Sequence, residues 1–320
     1  MTAGPSITGG RSVTIDHDAS GFVYRVNGQA EFVRGMGYNP GHASLLTSQR
    51  RMLLERDFEA MRNIGVNTVF GWDPAAFDGL TLDAAEEYGL GVAVPYDVDF
   101  SADLADPVVR AAARHDVLAL VERYRQHPAL RMWAIGNELL QRTVPPAWCP
   151  PDSFDEASVT KARTLAGFIV ETADAVHALD PDHPVIYRES EDAYTGWLSD
   201  ALREHPAPRP WLIYGVNAYT QRLGEIIDNL PGRGIDGPVL VSEFAPWDAE
   251  PGARAAGLRD LWGQIKEREH RLIGAAVYVW YTDGPEAVDQ RLGLMDALGR
   301  PIDDAVDTIA ELFGGAGLPR

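Results

Sequence analysis

The chain alternates between two hydrophobic rhythms, one at helical spacing and one in short β-prone runs. Leu53, Leu54, Phe58, Met61 and Ile64 recur at helical spacing, and Gly65 supplies a stop. Val66 to Phe70 follows as a strand, Leu82 to Tyr88 as a short helix stopped by Gly89, and Gly91 to Pro95 as a strand. Asp106-Pro107 reads as a cap with proline at the first helical position. The stripe Val109, Ala113, Val117, Leu120, Val121 and Tyr124 then runs until Pro128. Leu130 to Ile135 is the next strand, and Ala157 to Leu179 a long helix. Further strands fall at Pro184 to Tyr187, Leu212 to Val216, Pro238 to Val241 and Ile273 to Val279, with a closing helix from Asp303 to Phe313.

Ahead of this series lies a predicted β-hairpin. Phe22 to Val26 alternates, Asn27-Gly28 suits a tight turn with positive φ, and Glu31-Phe32-Val33 resumes. The hairpin leads into a first strand, Val33 to Asn39. Eight strands, each followed by helix-like sequence, predict an α/β protein with a closed (β/α)₈ TIM barrel. The expectation is one catalytic domain over residues 1–320, with 1–10 flexible and 11–32 forming the hairpin. An open doubly wound sheet is the alternative, and no G-x-G-x-x-G after the first strand supports it.

Charge narrows the partners. Lys and Arg total 28 against 47 Asp and Glu, a formal net charge of −19. Such a surface repels phosphate backbones and anionic lipid, so neither nucleic acid nor a membrane is an expected partner. No apolar run approaches the ~20 residues that span a bilayer. Cys149 is the single cysteine, which excludes an intramolecular disulfide. MTAGPSITGG lacks the basic-then-apolar layout of a secretory signal, so a cytoplasmic location is expected if this is the native start. The Pro-rich loop from Thr143 to Asp152 is long for a βα connection, a length more often functional than structural.

In a barrel of this type, catalytic residues lie where strands end. Strand four runs into Gly136-Asn137-Glu138, and strand seven into Ser242-Glu243-Phe244. Either carboxylate alone equally suits the N-terminus of a following helix. Together they are more specific: three βα units apart, both side chains can face one central cleft. Glycoside hydrolysis with retention needs two carboxyls about 5–5.5 Å apart, one to protonate the leaving oxygen and one to attack the anomeric carbon. Two such neighbours do not both ionise readily, so one is expected to hold a proton near neutral pH. Tyr219, just past strand six, is placed to orient the nucleophile, although a core tyrosine reads the same way. Trp280 at the end of strand eight offers a face for a sugar ring, or packs in the core. Tyr38 and Asn39 close strand one, Trp72 and Asp73 follow strand two, and Tyr96 and Asp97 follow strand three. Aromatic faces with Asp or Asn edges suit a neutral polyhydroxyl ligand, so the expected partner is a carbohydrate substrate. The sequence leaves oligomeric state open.

These residues resemble clan A glycoside hydrolases, especially the barrel domain of family 2 enzymes and related glucanases. YRQHPALRMWAIGNE, Tyr124 to Glu138, is similar to the family segment carrying the acid/base, and Pro238 to Phe244 to the nucleophile strand. Val26-Asn27-Gly28 with Phe32 to Tyr38 resembles the entry into strand one. Arg291 to Asp296, with Gly299-Arg300-Pro301, resembles the closing turn before the last helix. The resemblance implies that Glu138 is the acid/base and holds the shared proton, and that Glu243 is the nucleophile. It assigns supporting roles to Asn137, Tyr219 and Trp280, and implies no catalytic metal and no organic cofactor. Two departures stand out. The family often carries a substrate-contacting arginine near the end of strand two, where Phe70-Gly71-Trp72-Asp73 has none. Within these 320 residues the hairpin is the counterpart found for the flanking sandwich domains. GNE after strand four and VNAY at strand six also resemble β-1,3-glucanosyltransferases in layout.

A retaining β-glycosidase is therefore the leading expectation, with a transglycosylase using the same residues beside it. A non-catalytic carbohydrate-binding barrel has no need of both glutamates. A metal-dependent barrel hydrolase wants histidines and carboxylates clustered at strand ends, and none of the eight histidines forms an H-x-H after a strand.

Overall fold

The computed structural model describes residues 11–19, 21–144, 154–247, 252–284 and 287–318. The predicted flexible stretch 1–10 and most of the Pro-rich loop, including Cys149, lie outside them.

Eight parallel strands close into a barrel: β4 (Val33–Gly37), β5 (Thr68–Phe70), β6 (Gly91–Tyr96), β7 (Leu130–Asn137), β8 (Val185–Ser190), β9 (Leu212–Ala218), β10 (Val239–Phe244) and β11 (Leu272–Val277). Each pairs with its sequence neighbours, and β11 pairs with β4 to complete the ring. The predicted (β/α)₈ barrel is thus the observed fold.

The helices form where caps and periodicity agree. α1 (Thr47–Asn63) and α2 (Gly79–Glu87) end just before Gly65 and Gly89, which take φ of +89° and +71°. These left-handed values cost glycine nothing. Asp106 caps α3 (Pro107–Tyr124) through the amides of Val108 and Val109, with proline at the first position as expected. Asp155 does the same for α4 (Glu156–Leu179) through Ser158. α5 (Thr195–Glu204), α6 (Leu223–Asn229), α7 (Arg254–Lys266), the short α8 (Asp289–Leu292) and α9 (Ala305–Phe313) complete the helices described. Among the described residues no helix is long and apolar enough to cross a membrane.

Two apolar layers result. The outer one, between strands and helices, includes Met36, Val69, Val94, Ile135, Tyr187, Val216, Val241 and Val277. The inner one fills the barrel with Val33, Phe70, Met132, Ile186, Ile213, Leu240 and Ile273. Barrel strands are buried on both faces, which is why they read as continuous apolar runs.

The N-terminal sheet has three strands rather than two: β1 (Val13–Asp18), β2 (Gly21–Val26) and β3 (Gln29–Ala30), paired antiparallel. The Asn27-Gly28 turn is as predicted, with φ of +51° and +79°. β1 escapes periodicity because only Val13 and Ile15 break a polar run. Val13 and Tyr24, with Ile15, Phe22 and Val26 against them, join the apolar cluster that fills the barrel. Val13 also donates its amide to the Asp182 carbonyl, in the turn before β8. The sheet therefore seals the barrel at the end where its strands begin.

Candidate active site

At the opposite end, four consecutive strands each deliver a polar side chain. β7 brings Asn137 and, directly after it, Glu138. β8 brings Arg188, β9 brings Asn217, and β10 brings Ser242 and Glu243. Register aligns them: Asn137 pairs with Arg188, Arg188 with Gly215, and Glu243 with Asn217. The side chains lock in the same order. Asn217 Nδ2 donates to Glu138 Oε1 at 3.0 Å and to Asn137 Oδ1 at 3.1 Å, while its Oδ1 accepts Ser242 Oγ at 2.7 Å. Gln141 Nε2 donates to Glu138 Oε2. Asn217 thus reaches from beside one glutamate to hold the other.

Glu243 is 4% exposed, and both its oxygens accept hydrogen bonds. Trp72 Nε1 donates to Oε1 at 2.7 Å from the far side of the barrel, and Tyr219 donates its hydroxyl to Oε2. Gly37 on β4 makes room for the indole, since a Cβ there would stand 2.8 Å from Trp72 Cη2. Burial pushes the Glu243 carboxyl above its ordinary range. The charge of Glu138 pushes the same way, while Arg188 and the two donors oppose. Burial and then Glu243 hold the Tyr219 phenol well above its usual value, so it keeps the proton it donates.

Glu138 has φ of +52°, a conformation a residue with a Cβ adopts at a cost of order 1–3 kcal/mol. Its amide donates to the Arg188 carbonyl at 2.9 Å. The loop beyond it is fastened by Glu189, fully buried, which accepts the Leu140 amide at 2.9 Å along with the Tyr187 hydroxyl and the Ser190 amide. Burial raises Glu189 to about 7 despite those donors.

The predicted residues divide into two groups. The structure brings together Glu138, Glu243, Asn137, Tyr219 and Trp72. Asn39 stands one step back: its Nδ2 donates to Asp289 at 3.0 Å, and Asp289 also accepts the Tyr278 hydroxyl. Tyr96 is half-buried at the end of β6, and Asp97 beside it is exposed, with Arg142 and Arg188 acting on its charge. Asp73 is exposed and caps its own turn through the Ala75 amide. Tyr38 and Trp280 require correction. The Tyr38 hydroxyl turns into the outer layer and donates to buried Asp57 on α1 at 2.8 Å. Trp280 has no exposed surface and belongs to the same layer. β11 ends at Val277, three residues before Trp280, whose amide returns to the Gly37 carbonyl. The aromatic ring at the site is Tyr278, edge-on to Trp72 at 5.2 Å and to Tyr219 at 5.5 Å.

Sequence reading missed Arg188, Asn217, Gln141, Ser242 and Tyr278. For Arg188, Asn217 and Ser242 the signal was a polar residue inside a barrel strand, visible in Tyr187-Arg188-Glu189-Ser190, Val216-Asn217 and Val241-Ser242. Among the described residues no group of three or more His, Cys, Asp or Glu is arranged to hold a metal ion. A recess of about 700 Å³ lies away from the glutamates, between the loop at Phe100 to Ala105 and the start of α4. It shares no residue with the carboxylate cluster.

The barrel that carries these two glutamates has counterparts of the same fold among solved structures. No family model matches the chain. Among curated proteins, "Putative beta-glucuronidase" of Formosa agariphila is 22% identical over 207 residues, covering 59% of this chain and 22% of that protein. Among solved structures, a Bifidobacterium dentium β-glucuronidase complexed with coumarin-3-O-glucuronide superposes with a TM-score of 0.68 at 17% identity, covering 96% of this chain and 49% of the other. The β-D-glucuronidase of Dictyoglomus thermophilum gives 0.66 at 15%, with 96% and 54% covered. An Eisenbergiella tayi GH2 β-galacturonidase bound to galacturonate gives 0.64 at 15%, with 97% and 55%. The chain spans about half the length of these structures. These likenesses show the fold, a (β/α)₈ TIM barrel, in agreement with what the sequence resemblance implied.

Proposed function

We propose that this barrel is a retaining β-glycosidase in which Glu243 is the nucleophile and Glu138 the acid/base. The observation that carries the reading is Asn217, whose amide donates to Glu138 just after β7 and whose backbone pairs in register with Glu243 on β10, with both oxygens of Glu243 held by donors. Arg188, Tyr219 and Trp72 favour the Glu243 carboxylate, against its burial and the charge of Glu138.

The reaction then follows in two displacements. A Glu243 oxygen attacks the anomeric carbon, the bond to the leaving oxygen breaks, and Glu138 delivers its proton to that oxygen. Glu138, now a base, takes a proton from water, whose oxygen displaces Glu243 from the sugar. A sugar hydroxyl entering in place of water makes the same site a transglycosylase. The relatives are named for glucuronides and galacturonides, so β-uronides head the candidate substrates.

A panel of nitrophenyl β-glycosides, glucuronide and galacturonide included, tests the reading with wild type, Glu138→Gln and Glu243→Gln. Turnover in the wild type, its loss by at least about 10³-fold in Glu243→Gln, and a β-configured first product by NMR are expected. Unchanged turnover in Glu243→Gln, or an inverted product, would refute the mechanism. Product analysis with an added acceptor sugar separates hydrolysis from transfer.

A further inference from the structure

Arg188 is a charged residue in the middle of a barrel strand, 1% exposed, and no carboxylate forms an ion pair with it among the described residues. Its Nε and Nη1 are buried without a hydrogen-bond partner among the described residues. Each buried orphan costs free energy, a cost Arg131 on β7 also bears, and what sets Arg188 apart is its place beside Trp72. The fold also makes space for it. Its strand neighbour is Gly215, where a Cβ would stand 2.8 Å from Arg188 Cγ. The guanidinium carbon lies 5.6 Å from the ring centroid of Trp72, the residue at the end of the second barrel strand that hydrogen-bonds Glu243. Glu243 and Glu138 are the charges that act on it most strongly, and it is the strongest cation acting on Glu243.

We propose that Arg188, sent from the fifth barrel strand, is the positioning cation of the nucleophile. It favours the carboxylate of Glu243 from beside the Trp72 indole that donates to it. A cation–π contact with Trp72 couples the guanidinium to the indole that hydrogen-bonds Glu243. The inference rests on the proposed roles of the two glutamates, yet the effect of the charge on Glu243 is measurable without any substrate.

The test compares Arg188→Met, Arg188→Gln and Arg188→Lys with the wild type. Carboxyl-carbon NMR of ¹³C-glutamate-labelled protein reads the titration of Glu243, assigned by the signal lost in Glu243→Gln. The neutral variants should move the Glu243 midpoint up by at least about one pH unit, since a full buried charge is removed. Arg188→Lys, which keeps the charge, should stay within about half a unit of the wild type. With a turned-over substrate, the acid limb of kcat/KM should move with the midpoint, and activity below that limb should fall at least about tenfold. Arg188→Gln keeps a polar side chain of related length and serves if the Met variant does not fold. A folded neutral variant with the wild-type Glu243 midpoint overturns the proposal. A wild type inactive on every glycoside, but with Glu243 responding to Arg188 as expected, would instead count against the glycosidase reading.

Discussion

Tyr219→Phe removes one oxygen and leaves the ring against Tyr278 at 5.5 Å and Trp247 at 5.6 Å. What disappears is the hydroxyl donated to Oε2 of a buried carboxylate. A hydrogen bond to a charged group contributes about 1.5–3 kcal/mol. That bond favours the ionised form of Glu243, so its loss should raise the Glu243 midpoint by about 1–2 pH units at 1.36 kcal/mol per unit. The sign has a kinetic consequence. The nucleophile must be ionised, so the acid limb of kcat/KM moves to higher pH, and at a pH below both limbs activity falls roughly 10- to 150-fold. Well above both limbs the two enzymes should converge. The assay is a pH profile of kcat/KM on whichever aryl β-glycoside the wild type accepts. A uniform loss at every pH would mean that Tyr219 only orients Glu243, and an unshifted limb with full activity would remove it from the site altogether.

Asn217→Ala should lower kcat/KM by about 10- to 100-fold, since it strips a donor from Glu138 and leaves buried Ser242 Oγ without its acceptor; steady-state kinetics and a denaturation curve, with about 1–3 kcal/mol lost, check it. Glu189 has a folded pKa of about 7 against 4.5 unfolded, so the folded state keeps a proton that the unfolded state releases. Between about pH 4.5 and 7 its contribution to stability therefore falls as pH rises, by roughly 3 kcal/mol, and urea unfolding of Glu189→Gln across that window should lack this part of the decline. Trp280→Ala should cost about 3–5 kcal/mol of stability because the ring is fully buried in the outer layer, and thermal unfolding reads it.

The barrel was legible because strands buried on both faces spell out apolar runs, and because Asp106-Pro107, Gly65 and Gly89 punctuate the helices between them. Strand ends were less legible, for a physical reason. β8, β9 and β10 carry Arg188, Asn217 and Glu243 inside their hydrogen-bonded register, so the apolar run stops before the strand does. A reading that ends strand five at Tyr187 therefore loses Arg188. The opposite error occurred at strand eight, where Tyr278 and Val279 prolong the apolar run past the last ladder residue and bring Trp280 nearer the mouth than it is. Local rules fail where side chains serve chemistry rather than packing, and the failures themselves mark the site.

The sheet that seals the lower end of the barrel sets the traffic of the proposed reaction. With the interior filled and that end closed among the described residues, the doorway to the glutamates lies where the barrel strands finish. Incoming glycoside, departing alcohol and the water of the second displacement must all use it in turn. The acceptor that resolves the glycosyl-enzyme therefore enters only after the alcohol has left the doorway. Whether water or another sugar gets there first is decided by what the rim holds, not by the two glutamates beneath it.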